Sequence, residues 1–285
     1  MSDSTLLEVA EQIQKYWSPL FTKQLRESLM LGSLVNKDYE GEIKKGGDTV
    51  YVSQVNAPTG ELLTVGTDAD SFSSQAISTT RIAITADKRA VASYRFHDLV
   101  ELQSQIERQN PEVMESLRFA MAKEVNDYLY SLVSPSTSAP DHSIASVTDF
   151  NASQLSACRT LAAQAKWRYE PAWYCLVDPV YYGDILNAAT LTSSDYGAAD
   201  APVVGGQVAL KRFGFNILED NSRSADNALL FHPDFMHMVT QSQVQVKISD
   251  LHSQGKFGFI MSVDMIFGAK LGIDGAKKHI KVYNS

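Results

Sequence analysis

Two histidines and an aspartate make the segment FHPDFMHMV the part of the sequence most suggestive of metal chemistry. His232 and His237 lie five residues apart, with Asp234 between them, and imidazole and carboxylate groups are common metal ligands. Helical metal ligands are usually spaced by three or four residues, however, and the sequence places no third ligand beside these. We therefore expect ordinary, partly buried histidines and no metal site.

A second candidate for chemistry is the pair of carboxylates in LVDPVYYGDIL. Asp178 and Asp184 flank two tyrosines and could supply the acid and the base of a glycosidase-like site. Asp178 also directly precedes Pro179, and this order is typical of a helix N-cap followed by the first helical residue. The structural interpretation is the better one, and it predicts a helix that begins at Pro179.

The remaining patterns favour neither catalysis nor cofactor binding. Gly205 and Gly206 are not followed by the Lys-Ser/Thr pair of a phosphate loop, and a strand is predicted after them where a helix would be needed. The motifs Gly-x-Ser-x-Gly and His-Glu-x-x-His are absent from the sequence. Cys158 and Cys175 lack metal-ligand spacing, so buried free thiols are expected in preference to a disulfide or a metal site. We expect a protein without enzymatic activity, cofactor or metal.

The composition is that of a globular protein with an acidic surface. Of 285 residues, 44% are hydrophobic and 20% charged, and the formal net charge is −8. A dedicated nucleic-acid-binding protein usually has an excess of basic residues, and here the basic clusters, Lys44 with Lys45 and Lys277 with Lys278 and Lys281, suggest a solvated surface. The sequence contains no apolar run long enough for a membrane span and begins with an acidic, polar segment unlike a signal peptide. We therefore expect synthesis in a cytoplasm.

The first thirty residues form an apolar stripe that must cover some surface. Apolar side chains recur at spacings of three and four, as on one face of a helix. Pro19 interrupts the pattern and predicts two short helices or a kinked arm. The apolar positions are Leu6, Val9, Ile13, Trp17, Leu20, Phe21, Leu25 and Leu29.

A long β-hairpin is predicted next. Thr49–Val55 alternates as a strand does, and residues 79–96 form a second strand-like run. The polar, turn-rich residues 56–78 between them are too many for the tight loops that usually join antiparallel strands. The pattern predicts an extended hairpin that projects from the body, with a disordered surface loop as the alternative.

The clearest helix signal follows at Pro111. Asn110 is a good N-cap, Pro111 suits the first helical position, and Glu112 and Glu115 lie in the first turn. The helix should run for about 20 residues and end at the Ser- and Pro-rich residues 134–140, where a domain boundary is natural. Its apolar face is predicted to consist of Met114, Leu117, Met121, Val125, Tyr128, Leu129 and Leu132.

The rest of the sequence mixes helices and strands. We predict one sheet with a helix at 151–166 and the helix that begins at Pro179, in an α+β or α/β arrangement. In the strand 208–218, Gly214 suggests a bulge or a close approach of another backbone segment. The tryptophans Trp17, Trp167 and Trp173 are isolated in the sequence and are predicted to be packing residues. The other predicted strands are Ala172–Val177, Ala228–Phe231, Gln243–Ile248 and Phe257–Phe267.

The order of these parts resembles a known family. An apolar arm is followed by a Gly-Asp-Thr-Val strand that opens a long hairpin, a return strand ending in Phe-His-Asp, a capped long helix, and a mixed domain with LVDPVYYGDIL and GQVALKRFGFNILEDNS. This order is similar to that of the major capsid (coat) proteins of tailed bacteriophages. Their Hong-Kong-97-type α+β fold is shared by encapsulin shell proteins. The resemblance covers nearly the whole chain and depends on the order and spacing of the parts, since no single motif is specific.

The resemblance implies a division of the chain and a set of contacts between subunits. By position, residues 1–47 would be the N-terminal arm and 48–92 the extended loop. Residues 93–139 would form the peripheral domain with its spine helix at 111–133, 140–255 the axial domain, and 256–285 a return to the peripheral domain. The candidates for contacts between subunits are Trp17, Phe21, Pro58, Glu61, Leu62, Leu63 and Phe72.

The resemblance also implies a function and partners. The chain would be a subunit of hexamers and pentamers in an icosahedral virion shell that encloses a double-stranded DNA genome. Its contact with the packaged DNA would be weak and non-specific. A portal would be a further partner, and decoration or cement proteins are additional candidates, with no membrane involved. A separate scaffolding protein is expected because the Gly-Asp-Thr-Val strand begins as early as Gly47. Two alternatives stay open: an encapsulin-type shell that houses a cargo enzyme, and an α/β enzyme with an unrecognised site.

Overall fold

A computed structural model describes residues 26–27, 29–39, 49–63, 65, 72–97, 111–133, 143–188, 191, 210–223, 227–241 and 245–284. Within these ranges lie four α-helices and twelve β-strands. The helices are α1 (Leu31–Leu34), α2 (Pro111–Ser131), α3 (Ala152–Gln164) and α4 (Pro179–Asn187). The strands are β1 (Thr49–Val55), β2 (Thr79–Thr85), β3 (Lys88–Phe96), β4 (Ser143–Ile144), β5 (Trp173–Val177), β6 (Leu210–Arg212), β7 (Phe215–Glu219), β8 (Asn227–Phe231), β9 (Met236–Thr240), β10 (Gln245–Asp250), β11 (Phe259–Leu271) and β12 (His279–Tyr283).

These strands form three sheets. β1 and β2 pair as an antiparallel two-stranded sheet. β11 pairs with β3, β9 and β10 in a four-stranded sheet, and the six-stranded sheet has the order β4-β12-β8-β5-β7-β6. The expectation of one sheet in the C-terminal half is therefore wrong, because alternation identifies a strand but not its partner.

The long helix α2 lies between the two larger sheets. It begins at Pro111 and runs for 21 residues, as predicted, and Leu117, Met121, Val125 and Leu129 are buried at spacings of four. These side chains share one core with β11 and with the Tyr174–Leu176 side of β5. The predicted positions Met114, Tyr128 and Leu132 lie partly buried around that core. Each fully buried side chain of this kind contributes about 1.5–3 kcal/mol.

The other face of the six-stranded sheet is covered by α3 and α4. Trp173, Cys175 and Val177 of β5 face these helices, because side chains alternate along a strand. Trp167 and Trp173 meet edge to face with ring centroids 5.3 Å apart. Both tryptophans are packing residues as predicted, but they are not isolated from each other. Both faces of this sheet are therefore apolar.

The predicted strand around Gly214 is two strands joined by a turn. β6 and β7 pair antiparallel, with Arg212 opposite Phe215. The two residues between them have positive φ, +50° at Phe213 and +86° at Gly214. Positive φ at both central residues is characteristic of the type I′ hairpin turn, which favours glycine. The prediction of a bulge or a close backbone approach is wrong, since Phe213 and Gly214 form the turn that reverses the chain, and the atoms nearest to a Cβ on Gly214 belong to the Arg159 side chain.

The return run of the predicted hairpin also divides. Residues 79–96 form β2 and β3, which belong to different sheets. The ladder between β1 and β2 runs from Thr49 opposite Thr85 to Val55 opposite Thr79, which confirms the antiparallel hairpin. The strands β4, β9 and β12 were not predicted from the sequence.

The base of the hairpin packs across the four-stranded sheet. Val50, Val52, Ile84 and Ala86 form a small apolar cluster with Val239 of β9. Here the chain crosses β11 so closely that a Cβ atom on Gly268 would lie 2.0 Å from the Thr85 carbonyl oxygen. A residue with any side chain at this position would displace the hairpin from the sheet.

Several predicted features lie outside the described residues. They include most of the N-terminal apolar stripe with Pro19, the helix cap Asn110 and the linker 134–140. The glycines Gly205 and Gly206 and the lysines Lys44 and Lys45 also fall there. The short helix α1 begins directly after Leu29 and Met30.

The close approach at Gly268 gives a test of how the hairpin is held. We expect Gly268→Ala to destabilise the folded subunit by about 1–3 kcal/mol, because the added methyl group collides with backbone atoms that cannot rotate away. Chemical denaturation of unassembled protein would measure the change in free energy of unfolding.

A matched glycine provides the control. Gly183 lies inside α4, and a Cβ atom there would meet no atom within 4 Å. Gly183→Ala should stabilise the protein by about 0.5–1 kcal/mol, since alanine is the better helix former. An equal effect of the two substitutions would contradict the close approach at Gly268.

Candidate functional site

The histidine segment singled out in the sequence lines a polar cleft of about 690 Å³ at the foot of the hairpin. His232 and His237 are buried, at 3% and 7% exposure. The backbone N–H of Asp234 donates to His232 Nδ1 at 3.2 Å. The His237 ring meets Tyr39 edge to face at 5.3 Å.

A segment distant in sequence completes the cleft. The Asn36 side chain donates to Asp234 Oδ1 and to Asp38 Oδ2, each at 3.0 Å. The backbone of Asn36 forms a parallel bridge with His237. Asn36 thus attaches the strap, residues 35–39 after α1, to the edge of β9. No local pattern indicated this contact, because the two segments are about 200 residues apart in the sequence.

The cleft is lined by both acidic and basic side chains. Asp38 and Asp274 line it together with Lys277, Lys278 and Arg168. Burial lowers the pKa of both His232 and His237, with Asp234 opposing the shift. Among the described residues, no three histidine, cysteine or acidic side chains come together as metal ligands. The buried imidazoles and Asn36 pack the strap against β9, and burial favours the neutral form of both rings.

The two carboxylates considered for acid-base chemistry have structural roles. Asp178 Oδ2 accepts from the N–H of Val180 at 2.9 Å, and its Oδ1 accepts from the N–H of Asn227 at 3.1 Å. The helix cap predicted for Asp178 is confirmed. Asp184 Oδ2 accepts from the N–H of Phe150 at 3.1 Å. Each carboxylate anchors a backbone segment.

The cysteines are buried free thiols, as predicted. Burial raises the pKa of Cys158 to about 12 and that of Cys175 well above its usual value. Because the thiolate is the reactive form, neither side chain is placed for nucleophilic or redox chemistry.

Among the described residues, the far part of the hairpin stands out for its exposed apolar side chains. From Ser53 to Leu63 every residue of the outgoing limb is exposed, as are residues 72–78 of the returning limb. Large apolar side chains are among them: Val55, Leu62, Phe72 and Ile77 are each more than 60% exposed, as are the neighbouring Tyr51 and Val65. Apolar groups concentrated on a projecting element are typical of a surface that another molecule covers.

Backbone and side-chain hydrogen bonds hold the two limbs together beyond the ladder. Asn56 donates its backbone N–H to the Ser78 carbonyl oxygen at 2.9 Å. Farther out, the Thr59 N–H donates to Gln75 Oε1 at 3.0 Å. The Ser73 N–H donates to a Glu61 carboxylate oxygen at 3.2 Å. These pairs are the ones that the ladder register would bring opposite each other, so the limbs stay in register at least as far as Glu61.

The structure divides the predicted contact residues into two groups. Trp17 and Phe21 lie outside the described residues. The other five lie together on the hairpin limbs and are all exposed: Pro58, Glu61, Leu62, Leu63 and Phe72. Whether any of the seven contacts another subunit stays a prediction.

Sequence reasoning missed a second group of exposed apolar residues. Val246 and Ile248 of the edge strand β10 are exposed, as is Phe257 in the turn that follows it. The alternation of β10 was visible, but its position at the edge of a sheet follows only from the pairing. As to membranes, none of the described helices is long and apolar enough to span one.

No protein-family model and no curated protein matches this sequence. Solved structures nevertheless resemble it over nearly its whole length. A chain of Mycobacterium phage Che8 is 19% identical, with a TM-score of 0.76 and coverage of 94% of this chain and 96% of that one. The capsid structure of cyanophage P-SCSP1u is 17% identical, with a TM-score of 0.72 and coverage of 97% and 94%.

A third structure agrees with these two. A chain of the cyanophage Pam1 capsid asymmetric unit is 13% identical, with a TM-score of 0.69 and coverage of 100% and 98%. At such low identity the similarity concerns the fold. The chain has the mixed α/β fold of phage capsid structures, and the resemblance inferred from the order of its sequence elements is confirmed at that level.

The buried histidines of the cleft, His232 and His237, predict a pH-dependent stability. An unfolded histidine titrates near its ordinary value of 6.5, while burial lowers the pKa of His232 and His237 in the folded protein. Below pH 6.5 the unfolded chain therefore binds more protons than the folded one, and the free energy of unfolding falls as the pH falls. Denaturation between about pH 7 and pH 5 should show this loss.

The variant His237→Gln should reduce the slope of stability against pH, whatever it costs at neutral pH. His252→Gln is the control, because His252 is exposed in the turn after β10. An unchanged slope in His237→Gln would show that this imidazole is not the titrating group.

Proposed function

We propose that the protein is the major capsid subunit of a tailed bacteriophage, with a Hong-Kong-97-type fold, and that its copies assemble into an icosahedral shell around a double-stranded DNA genome. The observation that carries this proposal is the likeness in fold to phage capsid structures over nearly the full length of both chains. The exposed apolar hairpin supports it, because a shell subunit needs surfaces that its neighbours cover.

The proposed division of the chain follows the sequence-based one with two changes. The arm is 1–47, the extended loop 48–92 contains β1 and β2, and α2 is the spine helix of the peripheral domain. We assign β9 and β10, which lie in the range 140–255, to the peripheral domain because both pair with β11. We assign β12, which lies in the range 256–285, to the axial domain because it pairs with β8.

The partners in this proposal are chiefly other copies, in hexamers and pentamers of the virion. Contact with packaged DNA is weak and independent of sequence, because a subunit with a net charge of −8 has few cationic groups to spare. A portal, a separate scaffolding protein and decoration or cement proteins are further proposed partners. The subunit has no catalytic role.

Electron microscopy of the expressed protein tests the proposal. The protein, produced alone or together with the products of neighbouring genes, should form closed shells of uniform diameter. A monomer or dimer under every condition would contradict the proposal. Shells that co-purify with an enclosed enzyme would favour an encapsulin-type compartment.

Shortening the hairpin should separate assembly from folding. Replacing residues 58–76 by Asn-Gly would join Ala57 to Ile77 through a two-residue turn in the register of the ladder. The removed residues that the structure describes are exposed, so the thermal midpoint of the unassembled subunit should change little. Shell formation should be lost. Light scattering and circular dichroism on one preparation would measure both properties, and normal shells would contradict the role of the loop.

A further inference from the structure

Four cationic side chains line the polar cleft at the foot of the hairpin: Lys166, Arg168, Lys277 and Lys278. None of them forms an ion pair with a carboxylate among the described residues. Such a group is unexpected in a subunit with a net charge of −8, in which acidic side chains outnumber basic ones. Cationic groups gathered in a cleft attract a negatively charged ligand.

Hydrogen bonds fix the backbone that carries two of these cations. The Trp167 indole N–H donates to the Lys277 carbonyl oxygen at 2.6 Å, and so joins the segment after α3 to the turn before β12. The His232 backbone N–H donates to the Lys278 carbonyl oxygen at 3.0 Å. Groups carried on a fixed backbone are preorganised for a ligand, because less conformational entropy is lost when it binds.

The buried histidines of the cleft add ring nitrogens without partners. His232 is 3% exposed and accepts from the Asp234 N–H through Nδ1, so its neutral ring carries the proton on Nε2. The Glu170 backbone is near enough to raise the pKa of this ring. Nevertheless, neither His232 Nε2 nor His237 Nδ1 makes a hydrogen bond of normal geometry with the described residues. Lys278 is close enough to both rings to lower their pKa. The histidine wall of the cleft therefore has hydrogen-bonding capacity that the fold does not use.

The acidic side chains of the cleft are partly occupied by the strap. Asp38 and Asp234 each accept from the Asn36 amide at 3.0 Å. Asp274 is the third carboxylate that lines the cleft, and it is exposed to solvent. With neutral histidines the cationic side chains outnumber the carboxylates, so an anion is favoured over a metal cation.

We propose that the cleft binds the phosphate group of a small anion, with Lys166, Arg168, Lys277 and Lys278 as the cationic groups that hold it. Ammonium and guanidinium groups are common partners of phosphate oxygens, and a guanidinium can donate two parallel hydrogen bonds. A cleft of about 690 Å³ has the size of a small-molecule site, so a phosphate carried by a nucleotide also fits. The strap, β1 and the turn before β12 all line the cleft, and the bound anion would join them.

Calorimetric titration of the unassembled subunit with inorganic phosphate, at constant ionic strength, tests the inference without depending on shell assembly. Saturable binding is expected. The thermal midpoint should rise more in phosphate than in chloride of equal ionic strength, because a ligand that binds only the folded state stabilises it. Adenosine 5′-monophosphate is the second probe. Tighter binding than that of inorganic phosphate would assign a nucleotide to the site, and equal or weaker binding would assign free phosphate.

Two matched double variants locate the site. Lys277→Gln with Lys278→Gln should weaken phosphate binding at least about tenfold, because two charge-assisted contacts are lost. Lys211→Gln with Lys256→Gln removes the same charge from two exposed positions that do not line the cleft, and should change binding less than about twofold. Arg168→Gln provides a second reading of the cleft should the first variant fold poorly, and it should also weaken binding.

Three results would overturn the inference. The first is the lack of saturable binding up to about 10 mM phosphate. The second is an equal loss of binding in the two double variants, which would show a general effect of net charge. The third is a rise in thermal midpoint with magnesium chloride as large as that with phosphate, which would assign the cleft to a cation.

Discussion

The crossing of the hairpin base over β11 is the contact on which the arrangement of the molecule depends. β11 pairs with β3, β9 and β10, and its alternate side chains face α2 on one side and the hairpin on the other. The backbone of Thr85 lies against Gly268. Because the glycine has no side chain, the two-stranded sheet can rest directly on the larger one, and the direction in which the hairpin leaves the body is fixed there.

The body of the subunit is held by a buried core, whereas the outer hairpin is exposed. α2 is buried between two sheets, and its Tyr130 hydroxyl donates to the buried Asp220 beside the six-stranded sheet. Burial and the nearby carboxylate raise the pKa of Tyr130, so it stays a neutral donor. The described residues of the outer hairpin limbs have no such core and are joined by hydrogen bonds between exposed groups. Each such bond contributes only about 0.5–1.5 kcal/mol, so local opening of the limbs should be easier than opening of the body.

Local signals in the sequence were sufficient where the structure is locally determined. Pro111 starts α2, Asp178 caps α4, and β1 alternates as expected, since each depends on neighbouring residues. Strand partners were not predictable from the sequence. The predictions of one continuous strand through Gly214 and of a single sheet in the C-terminal half were therefore wrong. The hairpin was predicted as a projecting element, yet its two faces follow from the ladder register. The inner residues of that ladder pack against Val239, which is far away in sequence. The cleft at His232 was likewise not predictable, because Asn36 completes it and no sequence pattern connects Asn36 with the histidine segment.

The acidic charge and the apolar hairpin act at different ranges, and this difference suits a reversible assembly. Copies with a net charge of −8 repel one another, but physiological salt screens the repulsion beyond about 8 Å. Apolar contact acts only when surfaces touch, and it gains free energy only for the area that is covered. In the proposed shell, a misplaced neighbour would leave the end of the hairpin uncovered while the repulsion persisted, and it would dissociate. A correctly placed neighbour would be held by several contacts within the proposed hexamer or pentamer, each of them weak. The hydrogen bonds between the two limbs favour docking, because a preorganised loop loses less conformational entropy on docking than a flexible one.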